Sequence, residues 1–431
     1  MERSNFFIDK LKINRGVYDF VESSEKDLAD IFKKYSDVSE ICQAKVLAAL
    51  QNNNVSLHHF AGSSGYGYGD SGRDCLDKVY SEIFDSQAAL VRPHWVSGTH
   101  VISDSLFALL RPGDTLLSVT GRPYDTLSEV IGIEGASTGS LREWGVSYKE
   151  IPLKTDWSID LDKVKMELQD QSIRLVFVQI SRGYECRNSL KISDIQALVK
   201  LVKEQRQDVL ILVDNCYCEF TENNEPTSVG VDMAVGSLIK NPGGGFAPTG
   251  AYAVGTQFAI EQMASRMTSP GIGGEVGSFP YGYTLFFQGL FMAPHIVSQA
   301  LMGASLFARL FEKLGYKVLP QPNSKRTDIV QSIELRSEEE LITFCQSIQA
   351  SSPVDANAVP YPWDMPGYDH KVIMAAGTFV QGASIELSAD APIKEPYIVY
   401  LQGGLTYNHV KFAAMKVLTD MQRKGFINLN L

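Results

Sequence analysis

The sequence is poor in what would mark several protein classes. Six cysteines (Cys42, Cys75, Cys186, Cys216, Cys218, Cys345) in 431 residues are too sparse for a disulfide scaffold, and most stand in apolar context, so reduced thiols are expected. Histidine is scarce as well, at seven. Cys216-Tyr-Cys218 has no second Cys or His pair at ligand spacing, so no metal is expected. The tandem His58-His59 would point to opposite faces of a strand, which favours two separately hydrogen-bonded rings. Positive charge is in deficit, with 39 Lys and Arg against 50 Asp and Glu and a net charge of −11, which argues against a basic nucleic-acid binder. No apolar run approaches the ~18–20 residues of a membrane span. Val209 to Val213 is typical, closed by Asp214. Charges at Glu2, Arg3, Asp9, Lys10 and Lys12 interrupt any signal-peptide core, so a soluble, cytoplasmic protein without membrane or nucleic-acid partners is expected.

What is present is a globular composition, 44% hydrophobic and 21% charged, which excludes global disorder. From about Ser97 to Thr256, short apolar runs alternate with helical patterns, as in a mostly parallel sheet covered by helices. Strands are predicted over Thr115 to Val119, Val146 to Pro152, Leu175 to Ile180, Val209 to Val213, Met233 to Ile239 and Ala251 to Val254. An amphipathic helix is predicted over Ile192 to Gln205. Tyr283 to Leu314 reads as a long apolar helix interrupted by Pro294, suited to a connector or a subunit interface. Beyond Gly315 the pattern is a smaller α+β domain: strand Ile329 to Leu335, helix Glu338 to Gln349, a Pro-rich loop Val359 to Pro366, strands Lys371 to Ala375 and Ala383 to Leu387, and helix Tyr407 to Arg423. The expected division is a helical arm over 1–60, a large domain over 61–310 and a small one over 311–431.

Four stretches could carry chemistry. Gly67-x-Gly69-x-x-Gly72 has the glycine spacing of a dinucleotide site, but Val55 to Phe60 is a poor buried strand and no acidic residue closes the next apolar run, Ala88 to Val91. The tyrosines there fit a mobile, substrate-facing loop better. Ser97-Gly98-Thr99 opens a helix over His100 to Leu110 and is either a phosphate cradle on the helix dipole or an ordinary N-cap. Asp214 ends the strongest strand, at the edge where open α/β sheets bind ligands. A carboxylate ~4 Å from a cationic ring nitrogen gains roughly 4 kcal/mol at an effective dielectric of about 20, enough to keep a pyridinium protonated. Lys240 closes a buried strand before Asn241-Pro-Gly-Gly-Gly245, where apolar surroundings would lower its pKa toward a reactive amine. Alone, it would read as a lysine snorkelling from a strand end.

Taken together, phosphate cradle, Tyr124, Asp214, Ser237 and Lys240 follow in the chain order of the aspartate-aminotransferase-like (fold type I) enzymes that use pyridoxal 5′-phosphate. The sequence resembles their cysteine/methionine-metabolism branch, and most closely the methionine gamma-lyase-like group often called aluminium-resistance proteins. The resemblance lies in GYGYGDSGRDCLDKVYSEIF, RPHWVSGTHVIS, GRPYDTLSEVIGI, VDNCYCEF, IKNPGGGFAPTGAY and VYLQGGLTYNHVK, which together span most of the chain. It implies an α/β fold with a large cofactor domain and a smaller C-terminal one. It makes Lys240 the Schiff-base lysine, Asp214 the partner of the ring nitrogen and Tyr124 the stacking aromatic with a catalytic role. Ser97, Gly98, Thr99 and Ser237 become the phosphate cradle, and Tyr217 a further cofactor contact. Tyr66 and Arg73 correspond to residues that complete the neighbouring subunit's site in a homodimer or homotetramer.

The chain departs from the group's pattern twice. Ile239 replaces the threonine that typically precedes the lysine. Ser384-Ile-Glu386-Leu-Ser-Ala-Asp390 stands where an arginine would take the substrate carboxylate. Arg182 and Arg187 are candidate replacements, and Arg182 is preferred because it lies nearer the end of its strand. The expected function is a carbon–sulfur lyase acting on a small sulfur amino acid. Transamination or another amino-acid reaction on the same scaffold, and cofactor retention without turnover, remain as rivals.

Overall fold

The computed structural model describes residues 3–133, 138–365 and 370–429. Pro366, the end of the expected Pro-rich loop, lies outside them. The chain forms two compact units, residues 41–293 and residues 1–40 with 294–431. These boundaries differ from those read in the sequence because each falls inside a continuous helix, Ala29–Asn52 and Thr284–Lys313. The first helix carries no break in composition at that point, and the second passes through Pro294, at the boundary, without ending.

The 41–293 unit is built on β1 (Ala88–Arg92), β2 (Thr115–Ser118), β3 (Ser147–Glu150), β4 (Ile173–Gln179), β5 (Leu210–Asp214), β6 (Met233–Ser237) and β7 (Ala251–Gly255). They form one sheet in the order β1-β7-β6-β5-β4-β2-β3. The β2–β3, β2–β4, β4–β5 and β5–β6 pairs are parallel, and β7 runs antiparallel to both its neighbours. Continuous apolar runs such as Leu210-Ile-Leu-Val213 suit strands covered on both faces. The helix Ile192–Gln205 buries Ile195, Leu198, Val199 and Val202, the spacing of one helical face. Trp95, Val101, Leu106, Phe177, Leu212 and Met233 belong to one buried cluster of this unit. Because β2, β4, β5 and β6 run the same way, the segments after them emerge at one edge of the sheet.

The other unit carries β8 (Lys317–Leu319), β9 (Val330–Glu334), β10 (Val372–Ala375), β11 (Ser388–Pro392) and β12 (Ile398–Gln402), antiparallel in the order β10-β11-β12-β9-β8. The strand predicted at Ala383 to Leu387 lies instead at β11. Glu386 folds back so that its carboxyl accepts the N–H groups of Phe379 and Val380, each at 2.9 Å, and 383–387 becomes a turn. β8 and β12 were not predicted. The N-terminal segment is pinned within this unit: Tyr35 OH meets Ser305 Oγ at 2.8 Å, and Lys411 Nζ reaches Glu22 at 2.8 Å and Glu25 at 2.5 Å. Among the described residues, Thr284–Lys313 is the one helix long and apolar enough to cross a membrane, and its apolar window is mostly buried within the protein.

Candidate active site

The carboxyl edge of the large sheet gathers most of the residues singled out in the sequence. Asp214 ends β5, Ser237 ends β6 and Gln179 ends β4. Lys240 stands three residues beyond β6 rather than on it, heading the short turn Asn241–Gly243. Its Nζ lies 3.9 Å from the centre of the Tyr217 ring. Tyr217 holds φ = 74°, a left-handed backbone that bulky residues avoid and that recurs at functional sites. Asp214 is buried, and its Oδ1 accepts the Cys216 N–H at 3.1 Å.

The electrostatics correct one expectation. Burial alone pushes the Lys240 amine toward a lower pKa. Cys216, Tyr217, Asp214 and Tyr124 face it and outweigh burial, holding it well above the ordinary lysine value. With the Cys216 thiol and the Tyr124 phenol both pushed up and so protonated at neutral pH, Asp214 is the facing group that opposes the burial of the Lys240 charge there. Burial raises the Asp214 carboxyl, against the opposing effect of Lys240 and the Cys216 bonds. Burial, then Asp214, pushes the Cys216 thiol up, which keeps it neutral at ordinary pH.

Gly98 opens the helix Gly98–Leu109, and the Oγ of Ser97 caps it by accepting the His100 N–H at 3.1 Å. The first turn leaves main-chain N–H groups unpaired by the helix itself, where its dipole favours an anion. A Cβ on Gly98 would stand 3.5 Å from Cys216 Sγ, 3.6 Å from Ser237 Cβ and 3.9 Å from Lys240 Nζ, so the bare side of this glycine faces the lysine and the ends of β5 and β6. Ser237 Oγ is buried and has no hydrogen-bond partner among the described residues, a donor waiting for an acceptor. An orphaned hydroxyl, a helix N-terminus, an amine, a carboxyl and two aromatic rings fit the phosphate, aldehyde, ring nitrogen and ring faces of pyridoxal phosphate. Ser97, Gly98, Thr99, Tyr124, Tyr217 and Lys240 are all partly buried around this buried floor. Ile239 offers no hydroxyl, which leaves the phosphate to Ser237 and the helix.

Other candidate residues fall elsewhere. Arg182 is fully buried just beyond β4, and a Cβ on its neighbour Gly183 would lie 3.9 Å from Tyr124 Cβ, close to the site. Arg187 instead braces the chain: its guanidinium donates to the carbonyls of Gln179 (3.2 Å), Ile180 (3.3 Å) and Ser181 (2.9 Å) and pairs with Glu185 at 2.6 Å. Tyr66 is 74% exposed, as a loop residue reaching outward should be. Arg73 is not: 1% exposed, it donates to the Gly67 carbonyl at 2.9 Å and pairs with Asp74 at 2.8 Å. Within the protomer it ties its own loop, through the Gly67 carbonyl. The dinucleotide spacing follows a short helical turn, Leu57–Phe60, instead of a strand, which removes that reading. His58 and His59 do not point to opposite faces of a strand: in this helical turn their rings lie 3.9 Å apart, tilted by 49°, and both bond to Ser56.

Sequence reasoning missed Gln179, whose Oε1 accepts the Tyr124 N–H at 3.1 Å and whose Nε2 donates to Ser181 O at 3.0 Å. A polar side chain closing an apolar strand was the available signal. It also missed Glu219 and Glu225, both fully enclosed next to the site.

This architecture is the aspartate-aminotransferase-like fold of pyridoxal-phosphate enzymes, a large mostly parallel sheet with a smaller antiparallel one. The pyridoxal-phosphate-dependent protein YhfS of Escherichia coli shares it at 16% identity and a TM-score of 0.59, covering 89% of this chain and 96% of its own, a likeness of fold alone. The chain belongs to the methionine gamma-lyase family, whose profile matches residues 17–422. A carbon–sulfur lyase involved in aluminium resistance from Clostridium novyi NT is 49% identical, with a TM-score of 0.93 over 97% of this chain and 99% of that one. YnbB, an uncharacterized protein of Bacillus subtilis (strain 168), is 49% identical over 404 residues, 94% of this chain and 96% of that protein. The resemblance drawn from the sequence therefore holds, and the family supports a lyase-like enzyme dependent on pyridoxal phosphate.

Proposed function

We propose that the protein is a pyridoxal-phosphate-dependent carbon–sulfur lyase acting on a small sulfur amino acid such as cystathionine, methionine or cysteine. The observation that carries this reading is Lys240 Nζ, held 3.9 Å from the Tyr217 ring and facing the bare side of Gly98. When bound, the cofactor supplies an electron-accepting ring conjugated to the substrate α-carbon. Ser97, Gly98, Thr99 and Ser237 would hold its phosphate, Asp214 its ring nitrogen, and Tyr124 and Tyr217 its faces. Lys240 would hold the cofactor's aldehyde group, and its Nζ would be the base that moves protons at the substrate α-carbon and its neighbours. Asp214, buried and tied to the Cys216 N–H, would be held in place as the partner of the ring nitrogen. In net balance a C–S bond breaks, the sulfur leaves as a thiol or sulfide with a proton, and water completes the release of keto acid and ammonium. Arg182 is assigned to the substrate carboxylate.

We read the enzyme as cytoplasmic, with two or four subunits sharing active sites. The exposed Tyr66 and Tyr68, with ring centres 5.6 Å apart, support the shared site as a local aromatic patch. Mixing Lys240→Ala with Tyr66→Ala protein should then restore activity in hybrid assemblies, and no restoration would remove Tyr66 from a shared site.

The test of the function begins with borohydride. Reduction should bleach a visible band and leave the label on Lys240, and Lys240→Ala should show neither. Cysteine, cystathionine and methionine are then assayed for keto acid together with released thiol or sulfide. Keto acid without sulfur release, given an amino acceptor, would replace the reading with transamination. A retained cofactor with no turnover would make the protein a binder.

A further inference from the structure

We propose that Glu219 is a positioning residue of the cofactor site, keeping Lys240, Tyr217, Ser237 and Asp214 in register through contacts that each fall beside one of them. The inference rests on the pyridoxal phosphate reading above. The main-chain carbonyl of Glu219 accepts Asn241 Nδ2 at 2.9 Å, and Asn241 directly follows Lys240. Glu219 Oε1 accepts the Tyr252 hydroxyl at 2.9 Å. That same hydroxyl oxygen accepts Asn215 Nδ2 at 3.2 Å, and Asn215 directly follows Asp214. Oε1 also lies against Gly236, which precedes Ser237 and pairs with Tyr252 across β6 and β7. A Cβ at 236 would collide with Oε1 and sit 2.6 Å from Tyr252 Cε1, so only glycine lets the carboxyl pack on the strand that delivers Ser237. Tyr217 is two residues upstream, and it and Phe220 bracket Glu219 with left-handed backbones of φ = 74° and 62°. Such strain persists only where the surroundings over-determine it.

A carboxyl here is an odd choice for packing alone. Glu219 is wholly buried, and its Oε2 has no hydrogen-bond partner among the described residues. Burial, with the nearby Glu225 adding to it, holds the carboxyl above the usual carboxylate range, which disfavours its charged form. What it contributes is shape and an acceptor for Tyr252, which an amide reproduces and a methyl group does not.

Glu219→Ala, Glu219→Gln and Tyr252→Phe are compared with the wild type by two readouts other than turnover. These are the pH midpoint of the visible band in the loaded protein and the dissociation constant for pyridoxal phosphate. Supporting residues one shell out are typically worth about 10- to 100-fold, so Glu219→Ala should weaken cofactor binding by about tenfold or more and move the midpoint by about half a pH unit or more. Glu219→Gln should restore both to near wild type, and Tyr252→Phe should move both in the direction of the alanine variant, by less. Wild-type values for Glu219→Ala, or a glutamine variant as damaged as the alanine one, would overturn the inference. Should Glu219→Ala not fold, Tyr252→Phe, which removes one oxygen, decides alone: an unmoved midpoint and affinity overturn it. A wild-type protein with no reducible band on Lys240 defeats the cofactor reading instead, whereas a normal band indifferent to all three variants defeats only the role of Glu219.

Discussion

Thr99 Oγ1 and Tyr124 OH share a hydrogen bond of 2.8 Å, which ties the expected stacking ring to the first turn of the phosphate helix. Thr99 also reaches Thr126 Oγ1 at 3.1 Å, and Gln179 fixes the Tyr124 main chain from β4. Removing one such bond costs about 0.5–1.5 kcal/mol, or roughly two- to tenfold in affinity. Tyr124→Phe and Thr99→Val should each weaken cofactor binding by that factor, measured by spectral titration. The double variant should be little worse than Thr99→Val alone, because that change already removes the bond lost in Tyr124→Phe together with the one to Thr126. Additive losses would show that the two hydroxyls act separately.

Arg182 and Arg187 should separate cleanly. Arg187 supplies a charged donor to three carbonyls at the end of β4, and each such bond is worth about 1.5–3 kcal/mol. Arg187→Ala is therefore expected to lower the denaturation midpoint and to disturb kcat and KM together. Truncating one partner of a buried charge pair costs about 2–5 kcal/mol, so Arg182→Ala should raise KM well over tenfold with the visible band intact. An unchanged KM would exclude Arg182 as the carboxylate ligand, and loss of the band would give it a cofactor-holding role.

Glu225 gives the protein a pH dependence of definite sign. Its carboxyl accepts the Phe220 N–H at 2.9 Å and Asn215 Nδ2 at 3.0 Å, yet burial pushes its pKa up to about 7. Unfolded, it titrates near its ordinary value of 4.5, so between these limits the folded chain holds a proton that the unfolded chain has released. Stability therefore falls as pH rises from about 4.5 to about 7, by about 3 kcal/mol for this group at ~1.4 kcal/mol per pH unit. Chemical denaturation across that range should show the decline in the wild type and a flatter profile in Glu225→Gln. Equal slopes would mean that Glu225 is ionised throughout.

The site residues legible in the sequence were those whose position follows from strand ends. Asp214 closes an unmistakable apolar run, and Lys240 stands before a glycine-rich turn, so the residue pattern alone assigns both to the carboxyl edge of the sheet. Glu219 was illegible for a physical reason. In Val-Asp-Asn-Cys-Tyr-Cys-Glu it looks like a solvated loop residue, and only Gly236 and Tyr252, from two later strands, enclose it. The burial of Arg73 was equally hidden, because an arginine after a glycine-rich loop looks exposed until the loop carbonyl it binds is located. In the second unit, the backward reach of Glu386 decided where β11 starts, a long-range choice that alternation of residue types does not record.

The pairing of β1 with β7 bears on how the chain is made. β1 has β7 as its only neighbour in the sheet, with Arg92 opposite Ala251, so a strand synthesised early has no partner until one roughly 160 residues later has emerged. At about 5–20 residues per second that wait is about 8–30 s, during which Ala88-Ala-Leu-Val91 is an unpaired apolar edge. Ser97 and Lys240 are likewise delivered from opposite ends of this interval. Until β7 has left the exit tunnel the ribosome-bound chain therefore carries Ala88 to Val91 without the strand that covers its edge, a segment open to aggregation.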